Sequence, residues 1–123
     1  MTRQRLELGK EGEDLAFRKV ESLGYKCIER NYRCSLGELD LVARDGETLV
    51  FIEIKTRKGK SLDYAKEAVH ARKQRQMSKV ALAYMKKYGC EDARARFDVV
   101  VIHQKGLERE IEVIRNAFDL AYP

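Results

Sequence analysis

Apolar and polar positions along the chain change period several times, and each change marks an element. Leu8, Leu15, Ala16, Val20 and Leu23 recur at close to helical spacing. They predict a helix from about Leu6 to Leu23, with Gly24 as its C-terminal cap. Tyr25 to Tyr32 reads as a first strand, with Cys27 and Ile28 available to its two faces. The stretch from Gly37 to Lys55, GELDLVARDGETLVFIEIK, reads as two strands joined by a turn at Asp45-Gly46, a common hairpin dipeptide. Thr48 to Thr56 is rich in β-branched and aromatic residues. Strand alternation puts Leu49, Phe51, Glu53 and Lys55 on one side and Val50, Ile52 and Ile54 on the other. On the preceding strand Glu38, Asp40 and Val42 are expected to share a face.

Beyond a polar, basic loop at Thr56-Arg57-Lys58-Gly59-Lys60-Ser61, a long helical region is predicted, capped by Ser61 or Asp63 and closed after about Tyr88 by Gly89. Val69, Met77, Val80, Ala81 and Tyr84 form its apolar stripe. Arg96 to His103 contains FDVVVI, a nearly unbroken apolar run that reads as a buried strand. With a helix between, it is expected to lie parallel to the Glu53 strand through a crossover. Lys105-Gly106 turns the chain into Glu110 to Arg115, and Asn116 is expected to cap a terminal helical turn carrying Phe118. The expected fold class is α/β: a central mixed sheet of about five strands flanked by helices, in the order α-β-β-β-α-β-β with a short terminal helical turn.

At 123 residues the chain is long enough for one domain with a real core, so residues 1–123 are read as a single domain. A formal charge of +5 arises from 25 Lys and Arg against 20 Asp and Glu, which favours local patches and permits nucleic-acid binding. Cys27, Cys34 and Cys90 form no C-x-x-C pair, and no apolar leader or membrane-length run occurs, so a reduced, cytoplasmic, membrane-free setting is expected. His70 and His103 have no Cys or His at ligand spacing, which argues against a zinc site, and no glycine-rich phosphate loop is present.

The chemistry concentrates in the hairpin. Glu53 and Lys55 interrupt a strand that is otherwise fit for a covered sheet, where an unpaired charge is costly. Hairpin pairing can bring Asp40 close to Glu53, and two carboxylates at close range repel unless a cation lies between them. A hard divalent ion with oxygen ligands answers that need. Glu38 takes the place of Asp40 if the register differs, or serves as a supporting acid. Glu53 and Lys55 could equally be a strand-surface pair facing water, with Asp40 a polar strand-end residue. Arg96 and Asp98 read as a structural ion pair.

Asp40, twelve intervening residues and Glu53-x-Lys55 resemble the PD-(D/E)XK nuclease superfamily, which includes restriction endonucleases and archaeal Holliday-junction resolvases. A wider set of blocks resembles the YraN family of small bacterial proteins: Gly9-x-x-Gly12-Glu13-x-x-Ala16, Asn31-Tyr32-Arg33, Gly37-Glu38-Leu39-Asp40-Leu41, Phe51-Ile52-Glu53-Ile54-Lys55-x-Arg57, Arg96-Phe97-Asp98-Val99-Val100 and Asn116-Ala117-Phe118. The superfamily resemblance implies a restriction-endonuclease-like three-layer core and an endonuclease dependent on Mg2+ or Mn2+, acting on DNA that is branched or damaged. Asp40, Glu53, the Ile54 carbonyl and the helix-borne Glu13 would hold the ion, and Lys55 would orient water or stabilise the transition state. Nucleic-acid contacts are expected from Arg33 in the turn before Gly37, from Arg57 and Lys58 in the basic loop, and from Arg72 and Lys73 on the long helix, which also carries His70, Arg75 and Lys79. Lys73 matches a lysine of the family pattern, whereas the aromatic-glycine pair expected near Tyr64 is missing. A homodimer would set two sites across the two strands. The alternatives are a nuclease fold that binds nucleic acid without cutting it, and a protein-interaction module.

Overall fold

The computed structural model describes residues 3–58 and 70–120, with side chains described from residue 10 onward. Helix α1 (Arg3–Ser22) leads into strands β1 (Lys26–Cys34), β2 (Gly37–Asp45) and β3 (Thr48–Lys58). Helix α2 (Ala71–Lys87) and strands β4 (Ala95–Lys105) and β5 (Glu108–Phe118) complete the chain. The five strands form one mixed sheet in the order β1-β2-β3-β4-β5, antiparallel throughout except for the parallel pair β3–β4. The expected α-β-β-β-α-β-β order and the crossover are both present.

Both faces of the sheet are covered, which is why β3 is apolar on two sides. On one face Leu49, Phe51, Val99 and Val101 pack with Met77, Val80, Ala81 and Tyr84 of α2. On the other, Val50, Ile52, Val100 and Ile102 pack with Ala16 and Val20 of α1. Helix α1 approaches closely: a Cβ on Gly12 would stand 3.3 Å from both Ile102 Cδ1 and Thr56 Oγ1. Glycine in mid-helix is unfavourable by about 1 kcal/mol relative to alanine, and this close approach is the reason it is used. Rings of Tyr32, Tyr84, Phe51, Phe97 and Phe118 form a continuous run through the α2-side core, with neighbouring centroids 4.7–5.8 Å apart.

Two expected elements differ. The long helical region expected to about Tyr88 is broken at His70, which is extended with no side-chain cap, and the described helix runs Ala71–Lys87; the expected caps Ser61 and Asp63 lie outside the described residues. The expected terminal helical turn is instead the end of β5. Phe118 pairs with Phe97 and stacks on its ring at 4.7 Å. Asn116, with φ +51°, donates its backbone N–H to Asp98 Oδ1 at 2.9 Å rather than capping a helix. A buried acceptor and an aromatic partner outweigh the local capping preference. Among the described residues no helix is long and apolar enough to cross a membrane, and all three cysteines are free thiols.

Asp98 is fully buried on β4 and gathers bonds from its own strand and from two distant parts of the chain. It accepts from Tyr25 Oη at 2.7 Å, from Arg96 Nε at 3.0 Å and from the Asn116 N–H. Arg96 also reaches Asp45 at 2.8 Å, tying the β2–β3 hairpin to the same cluster. Burial and the neighbouring Asp98 push the Tyr25 hydroxyl up to about 12, so it stays a donor. The expected structural pair of Arg96 and Asp98 is present, as part of a larger network. Asp98→Ala is expected to lower unfolding free energy by about 3–5 kcal/mol, because it removes one carboxylate from the partly buried Arg96 and leaves the Tyr25 hydroxyl and the Asn116 N–H without their acceptor. Urea denaturation checks this.

Candidate functional site

The sheet splits at Asp40. Strands β2 and β3 pair from Asp45↔Thr48 to Leu41↔Ile52. Beyond that, β2 continues beside β1 through Tyr32↔Leu39 and Arg33↔Glu38, while β3 continues beside β4 from Glu53↔Val99 to Lys58↔Gln104. A parting of strands leaves backbone donors without a ladder partner. One of them, the N–H of Ile54, donates to Asp40 Oδ2 at 2.8 Å. The carboxylate thus replaces the missing strand and is fixed in place by doing so.

The split also breaks side-chain alternation. Leu39 and Val42 belong to the α2-side core and Leu41 to the α1-side core, so the face expected to carry Glu38, Asp40 and Val42 together is interrupted. Asn31, opposite this stretch on β1, has φ +54° and absorbs the irregularity. As a result Glu38 points away, pairing with Arg33 at 3.0 Å where both are exposed. Asp40, not Glu38, meets Glu53.

Glu53 is buried at 5% exposure and lies between two cations. Lys55 Nζ is 3.2 Å from its Oε1 and Lys73 Nζ, from α2, is 3.8 Å from its Oε2. Asp40 is raised to about 6 by burial first and by the adjacent Glu53 second, with the Ile54 N–H and Lys73 acting in the opposite direction. Two carboxylates and two ammonium groups therefore share one half-buried spot at the edge of the α2-side core.

The other candidates divide by position. Glu13 sits one residue past Gly12 on α1, which covers the opposite face of the sheet. Among the described residues no set of three His, Cys, Asp or Glu side chains is gathered closely enough to hold a metal ion. Arg57 and Lys58 are exposed at the end of β3, two and three residues beyond Lys55. Arg72 and Lys73 open α2 and line a cavity of about 780 Å³ together with Ser35, Leu36, His70, Arg75, Gln76 and Lys79. The β1–β2 turn was not a sequence candidate, since nothing local marks Ser35-Leu36 as facing a helix far along the chain.

A second feature was also missed. His103 is buried at 1%, and its Nε2 faces Glu112 Oε2 at 3.8 Å, neither atom having a hydrogen-bond partner. The period-two alternation of β4 already placed His103 on the face shared by Val99 and Val101, which was the signal available.

A family model described as uncharacterised protein family UPF0102 matches residues 12–102. The chain belongs to the UPF0102 family, the YraN proteins. A UPF0102 protein of Geobacter sulfurreducens is 51% identical over 116 residues, covering 94% of this chain and 91% of that protein. A relative in Geobacter metallireducens is 50% identical over 115 residues, with 94% of each chain covered. One in Syntrophus aciditrophicus is 43% identical over 119 residues, covering 97% and 94%. The match takes in Asp40, Glu53, Lys55 and Lys73, but the family is described as uncharacterised and membership brings no activity with it.

The carboxylate pair has a consequence for stability. Asp40 binds its proton more tightly folded (about 6) than at the ordinary value of 3.8, so protonation favours the native state. Its contribution to stability therefore falls as pH rises between those values, and the loss is complete above them. Asp40→Asn keeps an acceptor for the Ile54 N–H and removes the charge. In metal-free buffer it is expected to be more stable than the parent at pH 8, by about 1–2 kcal/mol given about 1.4 kcal/mol per pKa unit and partial solvent screening, and no more stable at pH 4. Paired thermal melts at the two pH values check it.

Proposed function

We propose that this protein is a metal-dependent phosphodiesterase of the PD-(D/E)XK type, acting as an endonuclease on DNA. The observation that carries the reading is the meeting of Asp40, Glu53 and Lys55 where β2 and β3 part, with Asp40 held by the Ile54 N–H. The donor set suits a hard divalent cation: burial first and the nearby Glu53 second raise the affinity of Asp40 for a proton, and a cation seated between the two carboxylates would offset both. Mg2+ needs few protein ligands because it keeps several waters, so the absence of a third clustered acid among the described residues is compatible with it. Asp40 and Glu53 would hold Mg2+ or Mn2+, with the Ile54 carbonyl a further ligand; Glu13, on the helix over the other face of the sheet, is not needed for this set.

Bound there, the ion would supply positive charge to a phosphoryl oxygen and make an attached water more acidic. The protein's own groups do the rest. Glu53 draws Lys55 to the site, and Lys55, half-buried beside it, is placed to orient the attacking water and to offset negative charge on the phosphoryl oxygens. Lys73 meets the same carboxylate from α2, so a phosphate arriving between helix and sheet finds a cation on either side.

Cleavage of supercoiled plasmid and of a labelled four-way junction with Mg2+ or Mn2+ tests the proposal. Asp40→Ala and Lys55→Ala are each expected to lower the rate by about 10²–10³-fold. Mn2+ titration of the wild type is expected to perturb the Asp40 and Glu53 carboxylate signals. No cutting by wild type and no Mn2+ response would overturn the reading. A second reading, a nucleic-acid binder without catalysis, draws on the two lysines that already neutralise Glu53. It predicts salt-sensitive binding with no cleavage.

A further inference from the structure

Helix α2 contains Arg72, Lys73, Arg75, Lys79, Lys86 and Lys87 and not one acidic residue, in a chain with 20 Asp and Glu. Cations in a first helical turn oppose the macrodipole, and this helix has no acid there and no side-chain cap. Solubility alone would be served by mixed charges, as on the rest of the surface. The arrangement pays off only if something anionic lies along the helix.

The shape of the surface narrows what that is. The cavity of about 780 Å³ is bounded on one side by Arg72, Lys73, Arg75, Gln76 and Lys79 of α2 and on the other by the Ser35-Leu36 turn. Helix and turn meet at its base, where a Cβ on Gly37 would stand only 2.9 Å from Gln76 Nε2. Its volume falls in the range of about 300–1,000 Å³ typical of small-molecule sites. A cavity of that volume has room for a short run of nucleotides, far less than the body of a duplex. Leu36, 48% exposed on the turn, offers an apolar contact to a base, while the cations opposite offer contacts to phosphates. Arg72 to Lys79 spans roughly 10 Å of helix at about 1.5 Å per residue. Lys73 lines the groove and also stands 3.8 Å from Glu53, so one side chain joins the groove to the carboxylate site.

We infer that the groove between the first turns of α2 and the Ser35-Leu36 turn holds a single-stranded segment of nucleic acid and feeds it to Asp40, Glu53 and Lys55. The substrate class is thus a strand already parted from its complement, such as a flap, a gap or a junction arm. Specificity on this view lies in the groove walls and needs no base-edge code. The delivery step rests on the phosphodiester reading above, whereas the binding step does not.

Fluorescence anisotropy with a labelled single-stranded oligonucleotide and with the blunt duplex of the same sequence, both in EDTA, tests binding apart from cleavage. Wild type is expected to bind the single strand at least tenfold more tightly. Arg75→Gln with Lys79→Gln is expected to lower the slope of log K against log salt by about 1.4, two contacts at about 0.7 each, and to leave Mn2+ binding unchanged. Leu36→Ser is expected to weaken single-strand binding several-fold with the salt slope intact. Equal affinity for duplex and single strand, or an unchanged slope in the double variant, would overturn the inference even if the protein cuts DNA. Tight single-strand binding that depends on these residues, without cleavage, would retain the groove and remove the nuclease.

Discussion

One hydrogen bond organises this molecule's most unusual region: the Ile54 N–H to Asp40 Oδ2, 2.8 Å. Where β2 leaves β3, the ladder has to end, and an unmet donor in a half-buried place is unfavourable by about 1–3 kcal/mol. A carboxylate meets the need with a strong, charge-assisted bond. The same bond sets Asp40 beside Glu53, so a requirement of backbone accounting produces the close approach of two acids. Burial, and after it the nearness of Glu53, raises the proton affinity of Asp40.

The rest of the fold makes such an approach tolerable. Strand β3 is central, paired to β2 on one edge and to β4 on the other, and both of its faces are covered. Far from the split, the Asp98 network joins Tyr25 just before β1, the β2–β3 hairpin, β4 and β5 through side-chain and backbone bonds. The two charged clusters lie toward opposite ends of β3, one near its start at Arg96↔Val50 and one near its end at Glu53 and Lys55. The first has its hydrogen bonds satisfied within the protein. The second is a crowded set of like and unlike charges, with two carboxylates and two ammonium groups gathered at one half-buried spot.

Legibility in the sequence followed the range of the interaction that decides each feature. The order of elements, the hairpin at Asp45-Gly46 and the parallel strand at FDVVVI were readable because local period and turn chemistry decide them. Asp40 and Glu53 were readable as a pair because hairpin pairing brings them near. That Asp40 rather than Glu38 faces Glu53 was not, because the break in alternation depends on where β2 leaves β3 and on Asn31 across the sheet. The end of the chain misled for a similar reason. Asn116 has a good local case as a cap, but Asp98, eighteen residues away in sequence, takes its N–H. The wall at Ser35-Leu36 and the pairing of His103 with Glu112 depend wholly on tertiary placement.

The position of the candidate site follows from the way two apolar stripes run out. On β3 the face that begins with Leu49 and Phe51 continues as Glu53 and Lys55. On α2 the stripe that contains Tyr84, Ala81, Val80 and Met77 continues, one turn nearer the N-terminus, as Lys73. Residues four apart on a helix share a face, so Lys73 is aimed at the sheet for the same reason as Met77. The packing that orients the core residues therefore also orients the charges that follow them. Held on a buried strand and a packed helix, these groups have little freedom left to lose. The site is the place where the core ends and its geometry continues in charged residues.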